Sequence, residues 1–249
     1  MPNLLPAQEL EDTKAEAKRC LRCGKPTCVE HCPLEMPIPQ IMTLFRDGQF
    51  QEAAELVVDT NPAALLCSVM CDTTTLCERH CIRGRRRKTP PVAFSKIERT
   101  LALTYIEQAL SVPAAGREVP APAAVLSPAA TAAPAPATAA SVPAVTVAGA
   151  HVLAVAVAIR CALSSYPVRL YTDLDFVPKN VLEPLRVWLA QLEVALLPLN
   201  EAPVRLEDVE ACEGAHQVRV FDLRDASYEM PGQPALAVKR AKELVDDID

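Results

Sequence analysis

Helical spacing of apolar positions governs the first hundred residues. Residues 6–19 have the composition of a charged surface helix. Pro39–Arg46 sets Ile41, Met42, Leu44 and Phe45 near one face, and Gln49–Thr60 places Ala53, Leu56 and Val57 at i, i+3, i+4. Asn61-Pro62 ends that second helix, because the residue before proline disfavours the α region. A longer helix is predicted from about Val92 to Leu110, with Ile97, Leu101, Leu103, Tyr105 and Ile106 as its apolar positions. Pro33, Pro37 and Pro39 make the segment before these helices irregular. The expectation for residues 1–110 is an α-helical domain wrapped around loop-borne segments.

The pattern then changes. Residues 111–144 hold seven prolines and fourteen alanines, with Arg117 and Glu118 the only charges. Such a stretch cannot bury a core and reads as a semi-extended linker. Beyond it, Val145–Val147 and Val168–Thr172 read as strands flanking an apolar helix, His151–Ser165, with Val152, Val155, Ala156, Ile159 and Leu163. Val181–Leu196 is predicted helical through Leu182, Leu185, Trp188, Leu189 and Leu192, with Pro184 tolerable only in a first turn. Strands are expected at Val194–Leu199, where the first competes with that helix end, and at Gln217–Leu223; Ala235–Asp249 closes as a charged helix. The fold class is α+β overall: a helical domain and a small α/β domain over 145–249, joined by the Pro/Ala-rich linker.

Composition narrows the function. Half the residues are hydrophobic, so a core is feasible, and a formal charge of -6 argues against a general nucleic-acid binder. The first residues have no basic segment followed by an apolar one, so no secretory signal is expected. The longest stretch free of Asp, Glu, Lys and Arg, Val119–Ile159, is proline-rich at first and then too short for a bilayer, so no membrane span is expected. Ten cysteines in a chain with no export signal point to metal ligands or reduced thiols, and to the cytoplasm.

Eight of those cysteines fall between Cys20 and Cys81. Cys20, Cys23, Cys28 and Cys32 follow C-x2-C-x4-C-x3-C-P, and Cys67, Cys71, Cys77 and Cys81 follow C-x3-C-x5-C-x3-C. Clustered thiolates select soft metals: zinc, copper(I) or iron–sulfur clusters. The C-x3-C-P ending is that of iron–sulfur runs whose fourth cysteine leaves the first cluster for a second. Two structural zinc sites could also use such spacings. Cys161 and Cys212 stand alone and read as small buried hydrophobes.

Residues from about 10 to 110 resemble the amino-terminal iron–sulfur domain shared by the glutamate synthase small subunit and dihydropyrimidine dehydrogenase. The matching pieces are Arg19-Cys20-Leu21-Arg22-Cys23, Pro26-x-Cys28, His31-Cys32-Pro33, Asn61-Pro62, Val69-Met70-Cys71, Leu76-Cys77-Glu78, Cys81, Pro90-Pro91-Val92 and Ile97-Glu98-Arg99. The resemblance implies two interleaved 4Fe–4S clusters. Cys20, Cys23, Cys28 and Cys81 would hold one; Cys32, Cys71, Cys77 and an oxygen ligand, Glu98, would hold the other. Cys67 is left without an iron and reads as a buried thiol. Asp72 stands where the family commonly has proline, which bears on local loop shape. The run Arg83, Arg85, Arg86, Arg87 and Lys88 is either a solvated loop offsetting cluster charge or a docking patch for an acidic partner.

In such relatives a flavin- and nicotinamide-binding domain follows, opening with G-x-G-x-x-G between strand and helix. Here the stretch reads Gly149-Ala150-His151-Val152-Leu153-Ala154, in which only the first glycine survives, and Asp173 or Asp175 is all that represents the acidic residue after the second strand. Glycine totals 7, against about 17 at average usage of roughly 7%. The reading is a degenerate, truncated Rossmann-like half, with FAD expected to be absent. The function expected is a non-catalytic electron-transfer subunit of a larger oxidoreductase, relaying single electrons between a partner flavoprotein and another redox centre. Two alternatives stand: a small NAD(P)H-linked FAD oxidoreductase of the glutamate-synthase small-subunit type, and a zinc-bound scaffold.

Overall fold

The computed structural model describes residues 4–87, 89–111, 144–202, 218–224 and 234–246. Seven helices make the described amino-terminal part: α1 Ala7–Ala17, α2 Thr27–Glu30, α3 Ile38–Arg46, α4 Phe50–Thr60, α5 Ala64–Met70, α6 Ile82–Arg87 and α7 Phe94–Ser111. Each amphipathic helix buries the stripe that its spacing announces. α3 turns Ile38, Ile41, Met42 and Phe45 inward and packs against α4, which turns Ala53, Ala54, Val57 and Val58 inward and packs against the central α7, where Ile97, Leu101 and Ile106 are buried. α5 was not foreseen as a helix. Its run Ala-Leu-Leu-Cys follows Pro62 and is buried throughout, a pattern from which period alone cannot separate helix from loop. Cys28 and Cys67 therefore sit on helices, not on loops as expected, and Cys71 follows α5 directly.

The N-terminus of α7 is tied down by two carboxylates from elsewhere. Glu16 of α1 accepts from the Ala93 N–H at 2.8 Å, and Glu78 accepts from the Ser95 N–H at 3.0 Å and its hydroxyl at 2.8 Å. Anions favour this helix end because its first amides lack partners. Glu78 follows Cys77, so the cysteine loop and the helix carrying Glu98 are fastened together.

The carboxy-terminal part comprises β1 Ala144–Ala148, α8 Val152–Leu163, β2 Val168–Tyr171, α9 Lys179–Gln191, β3 Ala195–Leu197, a 3-10 turn at Leu199–Glu201, β4 Val218–Asp222 and α10 Pro234–Asp246. The four strands form one parallel sheet in the order β3-β2-β1-β4, with Val145 opposite Val168 and Val147 opposite Phe221. α8 is apolar on every side because it lies between the sheet and α10. The segment predicted as one helix from Val181 to Leu196 divides: α9 ends at Gln191, Glu193 takes a positive φ of 56°, and β3 follows. Pro184 lies inside α9, beyond the first turn where it was expected. The carbonyl its ring displaces belongs to Asn180, which is exposed and can turn to water.

The two parts share one hydrophobic core. The Tyr105 ring of α7 lies 5.1 Å from Trp188 of α9, Gln191 donates to the Ala109 carbonyl at 2.8 Å, and α10 packs against α5. Apart from Ser111 and Ala144, the linker expected over 111–144 lies outside the described residues, as does Cys212. No single described helix is long and apolar enough to cross a membrane.

Candidate metal centre

All nine described cysteines are free thiols, and eight of them gather around two hollows. The first, about 500 Å³ including its open mouth, is rimmed by Cys20, Cys23, Cys28, Cys77 and Cys81, with Met42, Val92 and Phe94 behind them. Its wall is assembled from both ends of the cysteine region. The Thr27 hydroxyl donates to the His80 carbonyl at 2.6 Å, and the His31 and His80 rings stack with centroids 3.4 Å apart, drawing Cys81 against the Cys20–Cys28 loop. Arg22 adopts φ 50°, a left-handed conformation, and its N–H donates to Cys20 Sγ at 3.5 Å. Burial pushes Cys28 up to about 11, and the nearby Cys81 and Cys20 thiols add to it. Cys20 is likewise raised by burial, against the Arg22 N–H, with Cys23 and Cys81 contributing.

The second hollow, about 430 Å³, is rimmed by Cys32, Cys67, Cys71, Cys77 and Glu98, with Asn61 and Ala235 in its wall. Cys77 thus lies between the two hollows. Its thiol is raised by burial first and then by Glu98, with Cys32 and Cys71 also acting on it. Contact with Cys67 lowers Cys71, against burial and with help from the Ala235 N–H; the same contact, then burial, raises Cys67. Glu98 is buried, and Asn61 Nδ2 donates to its Oε1 at 2.8 Å. Burial, then the Cys71 thiol, push Glu98 up to about 8, with Asn61 pulling the other way.

Among the described residues, no Lys, Arg or His lines the second hollow beside Glu98 and the thiols, so this donor set is short of positive charge. Iron held by thiolates supplies that charge, and the residues fit such a group. Among the described residues, no three His, Cys, Asp or Glu side chains converge on a point as ligands of a single ion do. Every residue singled out as a ligand is present at one of the two hollows. Sequence reasoning singled out Asn61 as a helix stop and as part of the matching Asn61-Pro62 piece but gave its side chain no role at the site, and it missed Ala235 of α10, which no local motif marks.

The site and fold define an iron–sulfur domain carried on an α+β chain, and comparison with known proteins agrees. Residues 3–110 match the family described as dihydropyrimidine dehydrogenase domain II, 4Fe–4S cluster. The chain is 41% identical over 71 residues to the glutamate synthase (NADPH) small chain of Halomonas elongata, a stretch covering 28% of this chain and 15% of that protein. It is 43% identical over 68 residues to the corresponding small chain of Escherichia coli, covering 27% and 14%. It is also 30% identical over 84 residues to the Salmonella typhi homolog of the NAD-dependent dihydropyrimidine dehydrogenase subunit PreT, covering 34% and 20%. The family match makes the amino-terminal part an iron–sulfur domain, and the stretch shared with these relatives spans a fifth or less of each of them.

Gly149 and His151 stand between β1 and α8, where a dinucleotide fingerprint would lie. His151 caps α8: its Nδ1 accepts from the Ala154 N–H at 3.4 Å, and its Nε2–H donates to the Leu223 carbonyl at 2.8 Å. A Cβ on Gly149 would stand 3.2 Å from His151 Nε2 and 3.3 Å from Leu223 Cβ. The imidazole therefore occupies the N-terminus of α8, where the first amides of the helix lie. Asp173 is engaged by the Leu199 N–H at 3.4 Å.

Proposed function

We propose that the chain is an electron-transfer iron–sulfur subunit of a multi-subunit oxidoreductase in the cytoplasm. Cys20, Cys23, Cys28 and Cys81 hold one 4Fe–4S cluster, and Cys32, Cys71, Cys77 and Glu98 hold the other. The carrying observation is the pair of adjoining hollows, each rimmed by one of these donor sets. When bound, such clusters supply one-electron exchange without proton chemistry at the protein. The chain's own residues fix the donors, line the second site with Phe94, Met36 and Leu76, and place Arg83 at the first. Arg83 lines the first hollow together with Glu78, Arg46 donates to the Cys20 carbonyl at 3.3 Å, and Arg22, between Cys20 and Cys23, is exposed. This rim supports docking of an acidic redox partner, a flavoprotein among the candidates, at the first cluster. The carboxy-terminal part serves assembly, with no FAD in its cradle.

A small NAD(P)H-linked FAD oxidoreductase is a second reading, favoured by the parallel order β3-β2-β1-β4, which is that of a dinucleotide-binding half. His151 opposes it. The ligand assignment is tested by electron paramagnetic resonance of the reduced protein. Cys20→Ser should abolish or alter one signal, and Cys32→Ser and Glu98→Ala should alter the other. If Glu98→Ala leaves both signals as in wild type, Glu98 is not a ligand.

A further inference from the structure

Asn61 is the most thoroughly fixed polar residue of the second hollow. Its backbone is held on both sides, the N–H donating to the Val57 carbonyl at 2.8 Å and the carbonyl accepting from Ala64 at 3.0 Å, and Pro62 prevents α4 from continuing. The side chain is 1% exposed and points into the hollow, Nδ2 on Glu98 Oε1 at 2.8 Å and Oδ1 facing Cys67 Sγ at 3.8 Å. An ionised, iron-bound carboxylate can only accept, so in that state the amide presents its NH2 to Glu98 and its oxygen to the thiol side. Neither group lies on a neighbouring turn of the same helix: Glu98 is on α7 and Asn61 ends α4, 37 residues away. An unpartnered amide at this depth would be costly, so the bond is a built contact.

We infer that Asn61 is the positioning residue for the oxygen ligand, gripping Oε1 of Glu98 so that the carboxylate offers its other oxygen to iron. The inference rests on the reading of Glu98 as a ligand. A carboxylate can bind through one oxygen or two; with Oε1 occupied by the amide, one remains free. The amide donor also withdraws electron density from the ligand, which stabilises the reduced cluster. Cys67 has a place in this arrangement: it lines the same hollow yet faces the amide oxygen, so it supports Asn61 and does not compete for iron.

The experiment is a double-mutant cycle on the full chain purified anaerobically with its iron: wild type, Asn61→Leu, Glu98→Cys and the double variant. The midpoint potential of each cluster is followed by electron paramagnetic resonance during a redox titration. Asn61→Leu is expected to move the second cluster's potential to a more negative value and change its signal shape, with the first cluster unchanged. In the Glu98→Cys background, where no carboxylate remains to be held, Asn61→Leu should add no further shift. An Asn61→Leu shift of equal size in both backgrounds, or none in wild type, overturns the inference. If Glu98→Cys itself leaves both clusters unaltered, the ligand reading fails instead, and the two failures are separate. Should Asn61→Leu not fold, Asn61→Ala, with less bulk, takes its place in the same cycle under the same criteria.

Discussion

Glu98 gives a prediction whose size follows from its surroundings. In the chain stripped of iron by chelation, burial and the Cys71 thiol hold its proton until about pH 8, against an ordinary value of 4.5. Between those values the unfolded chain has released the proton and the folded chain has kept it, so stability is complete below pH 4.5 and is lost as pH rises to 8. At ~1.4 kcal/mol per pH interval of one, the loss at pH 7 is about 3 kcal/mol, and at pH 5 under about 1 kcal/mol. Glu98→Gln keeps the shape and an oxygen for Asn61 but has no proton to lose. Urea titrations of the metal-free chain, followed by fluorescence of Trp188 at the α7–α9 contact, should show the variant more stable by a margin that grows from pH 5 to pH 7. A margin equal at the two pH values would refute the claim that this carboxylate is desolvated. Under the proposed ligand assignment, replacing Glu98 by Ala in the iron-loaded chain is expected to disturb the second cluster.

Three further expectations follow from other contacts. Glu78→Ala removes the carboxylate that caps α7 and ties it to the Cys77 loop, so the denaturation midpoint should fall by about 1 kcal/mol equivalent. Burial pushes Cys161 up to about 12, so the stability its proton confers is complete below pH 9 and declines above it at ~1.4 kcal/mol per pH interval of one. The stability gap between wild type and Cys161→Ala should therefore shift in favour of the variant from pH 8 to pH 10, and a gap that stays constant speaks against it. His151→Ala should cost about 1 kcal/mol through the lost cap on α8, measured by urea titration, and fluorescence titration with FAD should show no tight binding in wild type.

The cysteine region was legible because metal ligands need particular atoms at short loop spacings, and Cys20 to Cys81 carry that pattern openly. Helices α3, α4 and α7 were legible because their buried stripes recur at 3.6-residue spacing against a polar face. α5 was not, since a helix buried on all sides has no polar face to set its period. The end of α9 was missed because Leu192 and Val194 continue the apolar run; the chain turns at Glu193, where a positive φ on a charged residue leaves no mark in composition. The roles of Asn61 and Ala235 depend on meetings between distant segments: Glu98 lies 37 residues beyond Asn61, and Ala235 reaches Cys71 from the last described helix. No local pattern encodes such meetings.

The central claim is that this chain carries two iron–sulfur clusters and no flavin, and one anaerobic sample decides it. Iron, acid-labile sulfide, zinc and flavin would be assayed on the full chain whose ultraviolet–visible spectrum has just been recorded. The account predicts about eight iron and eight sulfide per chain, as two four-iron clusters require, without stoichiometric flavin. Zinc in place of iron, or one equivalent of flavin per chain, would contradict it.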